Sequence, residues 1–113
     1  MLPKKHRVKR SHFNLIFNKG KTLHSNYFVL VIYKNSEISQ VQAAVIASSK
    51  VGKATQRNRA KRLIREIIRL EISNIQNQIQ IIIICKQSIN NTNFNDLKKE
   101  LISKLKEAGL YKK

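Results

Sequence analysis

The chain has 113 residues and a formal net charge of +17, because it carries 23 Lys and Arg residues against six Asp and Glu residues. Such an excess of positive charge indicates a polyanionic partner, for which nucleic acid is the first candidate and an anionic membrane the rival. Wholly apolar runs such as residues 81–85 are far short of the roughly 20 residues that a membrane span needs. We therefore expect no membrane role. A chain of this length predicts one domain, residues 1–113.

The first ten residues are basic and lack hydrophobic periodicity, which predicts an arm. No apolar segment follows them, as one would in a signal peptide, so we expect a cytoplasmic protein. Ser11 is a candidate N-cap for a short helix in which Phe13, Ile16 and Phe17 share one face. Gly20 is placed to end this helix.

Three later segments are typical of β-strands. Residues 27–33 are rich in β-branched and aromatic side chains, and residues 42–48 are a candidate partner with small side chains. Residues 79–85 have the density of β-branched residues expected of a buried strand. Apolar positions from Phe94 to Leu105 predict a final helix that stops near Gly109. Alternating helices and strands around one core predict an α+β fold, an α/β sandwich.

The most informative stretch is residues 50–69, where eight Lys and Arg residues stand beside a single acid, Glu66. At 3.6 residues per turn its apolar side chains form one stripe: Ala60, Leu63, Ile64 and Ile67. The opposite side carries Asn58, Lys61, Arg62, Arg65 and Arg69. Gly52 can supply the preceding turn, and Thr55 is a candidate N-cap. Like charges four positions apart weaken the helix slightly, so its uniform sign favours phosphate binding over a merely solvated face.

The run that begins with Arg57-Asn58-Arg59 and ends at Glu66 resembles the RNR signature helix of the bacterial ribonuclease P protein subunit. The resemblance extends from about Phe13 through Lys86. It implies a central sheet of about four strands packed by helices, with a left-handed βαβ crossover through the basic helix, against the general right-handed rule. It also implies a subunit that helps a catalytic RNA remove the 5′ leader of precursor tRNA. Catalysis is then expected in the RNA and not in the protein alone.

The resemblance assigns residues to two sites. Contact with the catalytic RNA is expected from Lys50, Lys53, Arg57, Asn58, Arg59, Lys61, Arg62, Arg65 and Arg69. A cleft for the precursor-tRNA leader, the leader cleft, is expected to be lined by Phe13, Phe17, Val31, Tyr33, Ser49 and Lys86. Val31 stands where many family members carry an aromatic residue, so either Tyr33 replaces that ring or the cleft stacks bases less well. Lys86 stands where Arg is usual, which keeps the charge but loses the planar fork. A core position is the alternative for Phe13 and Phe17.

A nuclease centre of the protein's own is not expected. The six acids are scattered singly, and the three histidines lie in the arm, the first helix and a loop, so no ligand set converges on a metal ion. His12 is expected to be an exposed helix residue. We therefore predict no catalytic residue, no metal site and no cofactor in the protein alone, with Mg²⁺ accompanying the RNA. The single cysteine, Cys85, predicts a small core residue.

The partners implied by the resemblance are the catalytic ribonuclease P RNA and precursor tRNA, with no obligate protein partner. Two other classes compete with this interpretation. The composition alone would favour a structural RNA-binding protein, such as a small ribosomal protein. A DNA-binding helix protein is less favoured, because no second helix precedes the basic helix at helix-turn-helix spacing.

Overall fold

The computed structural model describes residues 2–112 as a four-stranded sheet packed by three α-helices, which confirms the predicted α+β fold. In chain order the elements are α1 (Phe13–Lys19), β1 (Lys21–His24), β2 (Phe28–Lys34), β3 (Gln42–Ile46), α2 (Ala54–Glu71), β4 (Ile79–Cys85) and α3 (Phe94–Glu107). The predicted single domain also includes Met1 and Lys113, which lie outside the described residues. No helix in residues 2–112 is both long and apolar enough to cross a membrane.

The strands lie side by side in the order β1-β2-β4-β3. β2 is antiparallel to both of its neighbours, whereas β3 and β4 are parallel and are joined through α2. This is the predicted βαβ unit, and the left-handed sense of its crossover stays a prediction. Residue-based reasoning did not predict β1, because this four-residue edge strand is mostly exposed and has only one large aliphatic side chain, Leu23.

The main core lies between one face of the sheet and the helices α2 and α3. Alternate residues of the central strands, such as Leu30 and Ile81, point to this face and meet Ile64 of α2 and Leu101 of α3, all fully buried. Cys85 is also buried here, as predicted, and burial raises the pKa of its thiol to about 11. The thiol is therefore neutral and serves as a small apolar side chain.

On the other face of the sheet, α1 forms a smaller core. Ile16 is fully buried against Val31 and Ile82, which face each other across β2 and β4. Gly20 ends the helix as predicted, and its N–H donates to the carbonyl oxygen of Ile16 at 2.7 Å. A side chain at Gly20 would collide with that same carbonyl group, so the tight connection from α1 to β1 requires glycine.

The prediction that the first ten residues form an arm is wrong for residues 2–10, the part that the structure describes. Leu2 is only 5% exposed and belongs to the main core. The Nδ1 atom of His6 lies 2.7 Å from the carbonyl oxygen of Val41, and Arg7 forms an isolated parallel bridge with Ala43. The segment therefore covers part of the outer edge of β3, a strand with no other neighbour on that side. Ten residues without periodicity carry no sequence signal for this kind of docking.

The predicted start of the first helix is also wrong. Ser11 lies within a 3-10 turn, Arg10–His12, and α1 begins only at Phe13, with no side-chain cap. His12 is not an exposed helix residue, because it is half-buried and its Nδ1 atom lies 2.9 Å from Nε2 of the fully buried Gln80. A hydrogen bond to the sheet thus fixes the turn before α1.

The start of α2 is displaced from its prediction by two residues. Lys53 occupies the N-cap position, and its N–H donates to Oε1 of Gln56 at 2.9 Å. Thr55, the predicted cap, lies inside the first turn, because the Gln56 side chain already satisfies the exposed backbone at this end. Gly52 supplies the preceding turn as predicted, with a φ of 146° that side chains rarely adopt.

The remaining boundaries agree closely with the sequence. β4 has the predicted bounds, β2 is shifted by one residue, and β3 ends two residues early, at Ile46. α3 ends at Glu107, shortly before Gly109, which has a φ of 70°. The side chain of Asn93 caps α3 by accepting a hydrogen bond from the N–H of Asp96 at 2.9 Å.

Candidate nucleic-acid interface

α2 presents its basic side to solvent, as its periodicity predicts. Its buried residues are Ala60, Ile64, Ile67 and Ile68, and Leu63 is partly buried against the same core. On the other side a shallow depression of about 300 Å³, which we call the basic groove, is lined by Asn58, Lys61, Arg62, Arg65 and Glu66. Asn58 and Arg62 are exposed, whereas Lys61 and Arg65 are half-buried. Three cationic side chains are therefore brought together around a single acid.

Two other arginines of the signature contact the protein itself. Nη1 of Arg57 donates to the carbonyl oxygen of Gly52 at 2.9 Å, which ties the helix to its preceding turn. The guanidinium of Arg59 donates to the carbonyl oxygens of Thr92 at 2.9 Å and Ile89 at 3.4 Å, in the segment before α3. Both arginines were predicted to contact RNA, and the structure gives each a role in holding the fold.

The ends of the predicted basic surface differ in their charge. At the start of α2, Lys50 and Lys53 are exposed. Near its end, Arg69 forms an ion pair with Glu66, with Nη2 and Oε1 at 2.5 Å. The hydrogen bond from Arg69 lowers the pKa of the Glu66 carboxyl, so the acid stays ionised and partly cancels the charge of Arg69. The positive charge is therefore greatest between the helix start and Arg65.

On the opposite face of the sheet, α1 covers only one end of the strands. The turn before α1 contacts Gln80, near the start of β4, and Gly20 after α1 approaches Ile32, near the end of β2. Because β2 and β4 are antiparallel, these two contacts lie at the same end of the sheet. At the other end of the strands, α1 does not cover this side of the sheet, and we call the uncovered region the open face. It carries the half-buried side chains of Ile46 and Ile84.

Two aromatic rings of α1 lie on the flank that borders the open face. Ile16 points at the sheet, and helical spacing puts Phe13 and Phe17 on one side of it and His12 and Lys19 on the other. His12 contacts Gln80 at the covered end, so the two phenylalanines face the open end. Their ring centroids are 6.4 Å apart in an edge-to-face arrangement, and Phe17 is 42% exposed. Phe17 is thus available to a ligand, whereas Phe13 is partly buried against the small core.

The other predicted aromatic position does not join this pair. Val31 is 3% exposed beneath Ile16, so its side chain is removed from the predicted leader cleft. Tyr33 pairs with Gln80 at the covered end of the sheet, and it lines a groove together with Lys19. α1 therefore separates Tyr33 from Phe17, and a role for Tyr33 in the leader cleft stays a prediction.

Ser49 and Lys86 lie at the far end of the open face. They follow β3 and β4, and since these strands are parallel, both residues lie at the same edge of the sheet. Ser49 is exposed. Lys86 is half-buried, and its Nζ donates to the carbonyl oxygen of Ser25 at 2.6 Å, which holds the turn between β1 and β2. Its charge remains near the rim, but its position is fixed by the protein.

Sequence reasoning missed one basic residue beside α2. Arg7 lines a depression of about 240 Å³ together with Val8, Ala44 and Arg65. This depression connects the N-terminal segment and the edge strand β3 to the basic side of α2. No sequence signal pointed to Arg7, because its position depends on docking of the N-terminal segment.

The acidic residues form no catalytic constellation in the described chain. Glu66 is paired with Arg69, and Glu71 accepts a hydrogen bond from the hydroxyl of Tyr111 at 2.9 Å. Burial and this hydrogen bond raise the pKa of Tyr111. Within residues 2–112 no three His, Cys, Asp or Glu side chains are grouped so that they could hold a metal ion.

An α+β domain with a cationic helix on one side and an exposed aromatic ring beside a half-covered sheet on the other has the features of the nucleic-acid-binding class. The chain belongs to the ribonuclease P protein family, because the family model described as Ribonuclease P matches residues 2–109. This membership decides against the small ribosomal protein and the DNA-binding helix protein as alternatives.

Relatives and solved structures agree with the family. The ribonuclease P protein component of Syntrophomonas wolfei is 32% identical over 112 residues, which cover 98% of this chain and 93% of that protein. The Staphylococcus aureus RNase P protein superposes with a TM-score of 0.85 at 30% identity, covering 95% of this chain and 98% of the other. The Thermotoga maritima RNase P protein gives a TM-score of 0.80 at 32% identity, covering 89% and 96%.

Proposed function

We propose that this chain is the protein subunit of ribonuclease P and acts in the cytoplasm in endonucleolytic maturation of the 5′ end of tRNA. The observation that carries the proposal is the separation of two surfaces by one sheet. The basic groove of α2 lies on one face, and the open face with Phe17 lies on the other. A subunit that must hold a catalytic RNA and a substrate strand at the same time needs two such surfaces.

The basic groove is the proposed contact with the catalytic RNA. Arg62 and Arg65 can meet phosphate oxygens with two parallel hydrogen bonds each, and Lys61 adds a point charge. The major groove of an A-form RNA helix is too narrow to admit α2, so we infer contact with backbone and tertiary shape and not with base edges. Arg57 and Arg59 support this surface by fixing the helix start and the segment before α3.

The open face is the proposed site for the single-stranded 5′ leader of precursor tRNA. Phe17 offers an exposed ring for base stacking, which is worth about 1–3 kcal/mol per base. Ser49 and Lys50, exposed after β3, supply polar and cationic contacts at the opposite rim. Such a site is tolerant of sequence, because every base has a face that can stack.

Catalysis is assigned to the RNA subunit. The acids nearest to the basic groove are already paired, and the described residues offer no converging carboxylates that could hold two metal ions. We therefore propose that Mg²⁺ is held by the RNA and that the protein contributes binding and orientation.

Reconstitution with the ribonuclease P RNA of the same host tests the proposal. The protein together with that RNA should cleave precursor tRNA at the 5′ end of the mature sequence, and the protein without RNA should not. Glu66→Gln and Glu71→Gln should leave the reconstituted activity within a few fold of wild type, because neither carboxylate takes part in the reaction. Site-specific, metal-dependent cleavage by the RNA-free protein would contradict the assignment. Failure of the protein to increase cleavage by the RNA would contradict it as well.

A further inference from the structure

A second groove, on the other side of α1 from Phe17, is not accounted for by the two sites above. It has a volume of about 380 Å³, and its lining includes Lys19, Lys21, Tyr33, Lys34, Ala108 and Leu110. We call it the edge groove, because it wraps around the end of the sheet from the α1 side to the α3 side. None of the six acids of the chain lines it.

Local backbone geometry explains why this groove exists. β1 begins at Lys21, which is opposite Ile32, so the last residues of β2, Tyr33 and Lys34, extend beyond their edge partner. Gly20 turns the chain sharply between α1 and β1, and Lys19 lines the groove beside this end of β2, which pairs with β4 but has no β1 residue opposite it. Three lysines from three consecutive elements thus line one groove together with Tyr33, whose ring is partly buried against the small core.

Ordinary structural roles do not explain why three lysines line this groove. Lys19 lies in the last turn of α1, where a cation is favourable near the carbonyl end of a helix. That reason does not extend to Lys21 and Lys34, which lie in strands. All three lysines are exposed, and placing them together costs repulsion that acids could have relieved. A ring flanked by several cations is the arrangement that binds single-stranded RNA, by stacking on the base and neutralising the phosphates.

We propose that the edge groove binds the 5′-distal part of the precursor-tRNA leader, after that strand has left the open face. The inference rests on the proposed function. The open face runs alongside α1, and a strand that leaves it past β1 meets Lys19 and Lys21 at the C-terminal end of α1. Turning around that end brings the strand onto Tyr33 and Lys34. The leader would thereby wrap around α1, stacking first on Phe17 and then on Tyr33.

The test is a comparison of leader lengths with the reconstituted enzyme. One precursor carries a leader of about four nucleotides and the other a leader of about sixteen, the lower and upper ends of the usual range for a single-strand binding fold. The variant Lys19→Gln/Lys21→Gln/Lys34→Gln should bind the short-leader precursor as wild type does. For the long leader, the slope of log affinity against log salt concentration should flatten by about 0.7 for each lost phosphate contact, about two in all.

Two matched variants control for charge and folding. Lys98→Gln/Lys99→Gln removes two positive charges from the first half of α3, at the opposite end of this helix from Ala108 and Leu110, and should leave the long-leader slope unchanged. Lys19→Arg/Lys21→Arg/Lys34→Arg keeps the charge and should restore it. An equal loss of affinity for both leaders, or no loss for either, would overturn the inference. If wild type itself gains no affinity from any leader, the proposed leader site fails as well, so the two failures are distinguishable.

Discussion

At the scale of single residues, neighbouring arginines of one motif have different surroundings. Arg59 is half-buried and donates to the carbonyl oxygens of Thr92 and Ile89, whereas Arg62, three positions later, is exposed in the basic groove. The family resemblance predicted RNA contact for both arginines, because the motif does not distinguish a guanidinium that faces the protein from one that faces solvent. The neighbouring segment that accepts from Arg59 is 30 and 33 residues away, beyond the reach of helical periodicity.

Replacing these two arginines separates folding from binding. Arg59→Ala should lower the free energy of unfolding by about 1–3 kcal/mol, because two carbonyl oxygens lose a charged donor. Arg62→Ala should change it by less than about 0.5 kcal/mol, as exposed substitutions usually do. Urea denaturation of both variants measures the difference. Equal stability of the two variants would mean that the Arg59 hydrogen bonds contribute nothing to the fold.

Cys85 gives a prediction for the dependence of stability on pH. Its thiol pKa is raised by burial from 9.0 to about 11, so the unfolded chain releases this proton before the folded one does. Stability should therefore fall as pH rises from about 9 to about 11, by at most about 1.4 kcal/mol per pH unit from this group. The Cys85→Ala variant keeps all the other titrating groups. The difference in free energy of unfolding between wild type and this variant should therefore become smaller from about pH 9 to about pH 11. Parallel stability curves for the two proteins would show that the thiol ionises equally in both states.

At the scale of elements, residue patterns predicted those segments whose own periodicity is strong. α2, β4 and α3 follow from spacing of apolar residues, and their buried faces are those expected. β1 and the docked N-terminal segment could not be predicted, because both are held by backbone pairing with distant strands and carry few apolar residues. The predicted Ser11 and Thr55 caps failed because other hydrogen bonds fix those helix starts. His12 is hydrogen-bonded to the distant Gln80 before α1, and the N–H of Lys53 donates to the Gln56 side chain at the start of α2.

The position of α1 predicts different effects for two phenylalanines. Phe17→Leu should cost little stability, since 42% of the residue is exposed and apolar volume is largely kept. It should nevertheless reduce the preference of the reconstituted enzyme for precursor over mature tRNA, by about fivefold to 150-fold if one stacked base is lost. The measurement is the ratio of the two dissociation constants.

Phe28→Leu is the matched control for this prediction. Phe28 is fully buried on the opposite face of the sheet, so the same substitution should lower stability while the ratio stays unchanged. A change in the ratio for both variants, or for Phe28→Leu alone, would place the effect in the fold and not in a leader contact.

At the scale of the whole molecule, the sheet separates the two surfaces to which we assign different roles. α2 and α3 cover one face, α1 covers one end of the other, and the predicted leader residues are distributed by this arrangement. Phe17 borders the open face, Val31 is buried, and Tyr33 lies beyond α1. A sequence match aligns these positions along the chain, but only strand register and the path of α1 determine which of them meet.

The central assignment is that α2, and not the α1 side of the sheet, binds the catalytic RNA. The direct measurement is the affinity of the protein for ribonuclease P RNA at a series of salt concentrations. Arg62→Ala and Arg65→Ala should each flatten the slope of log affinity against log salt concentration by about one unit, whereas Phe17→Leu should leave both slope and affinity unchanged. Wild-type slopes in both arginine variants, or a loss of RNA affinity in Phe17→Leu, would contradict the assignment of the two surfaces.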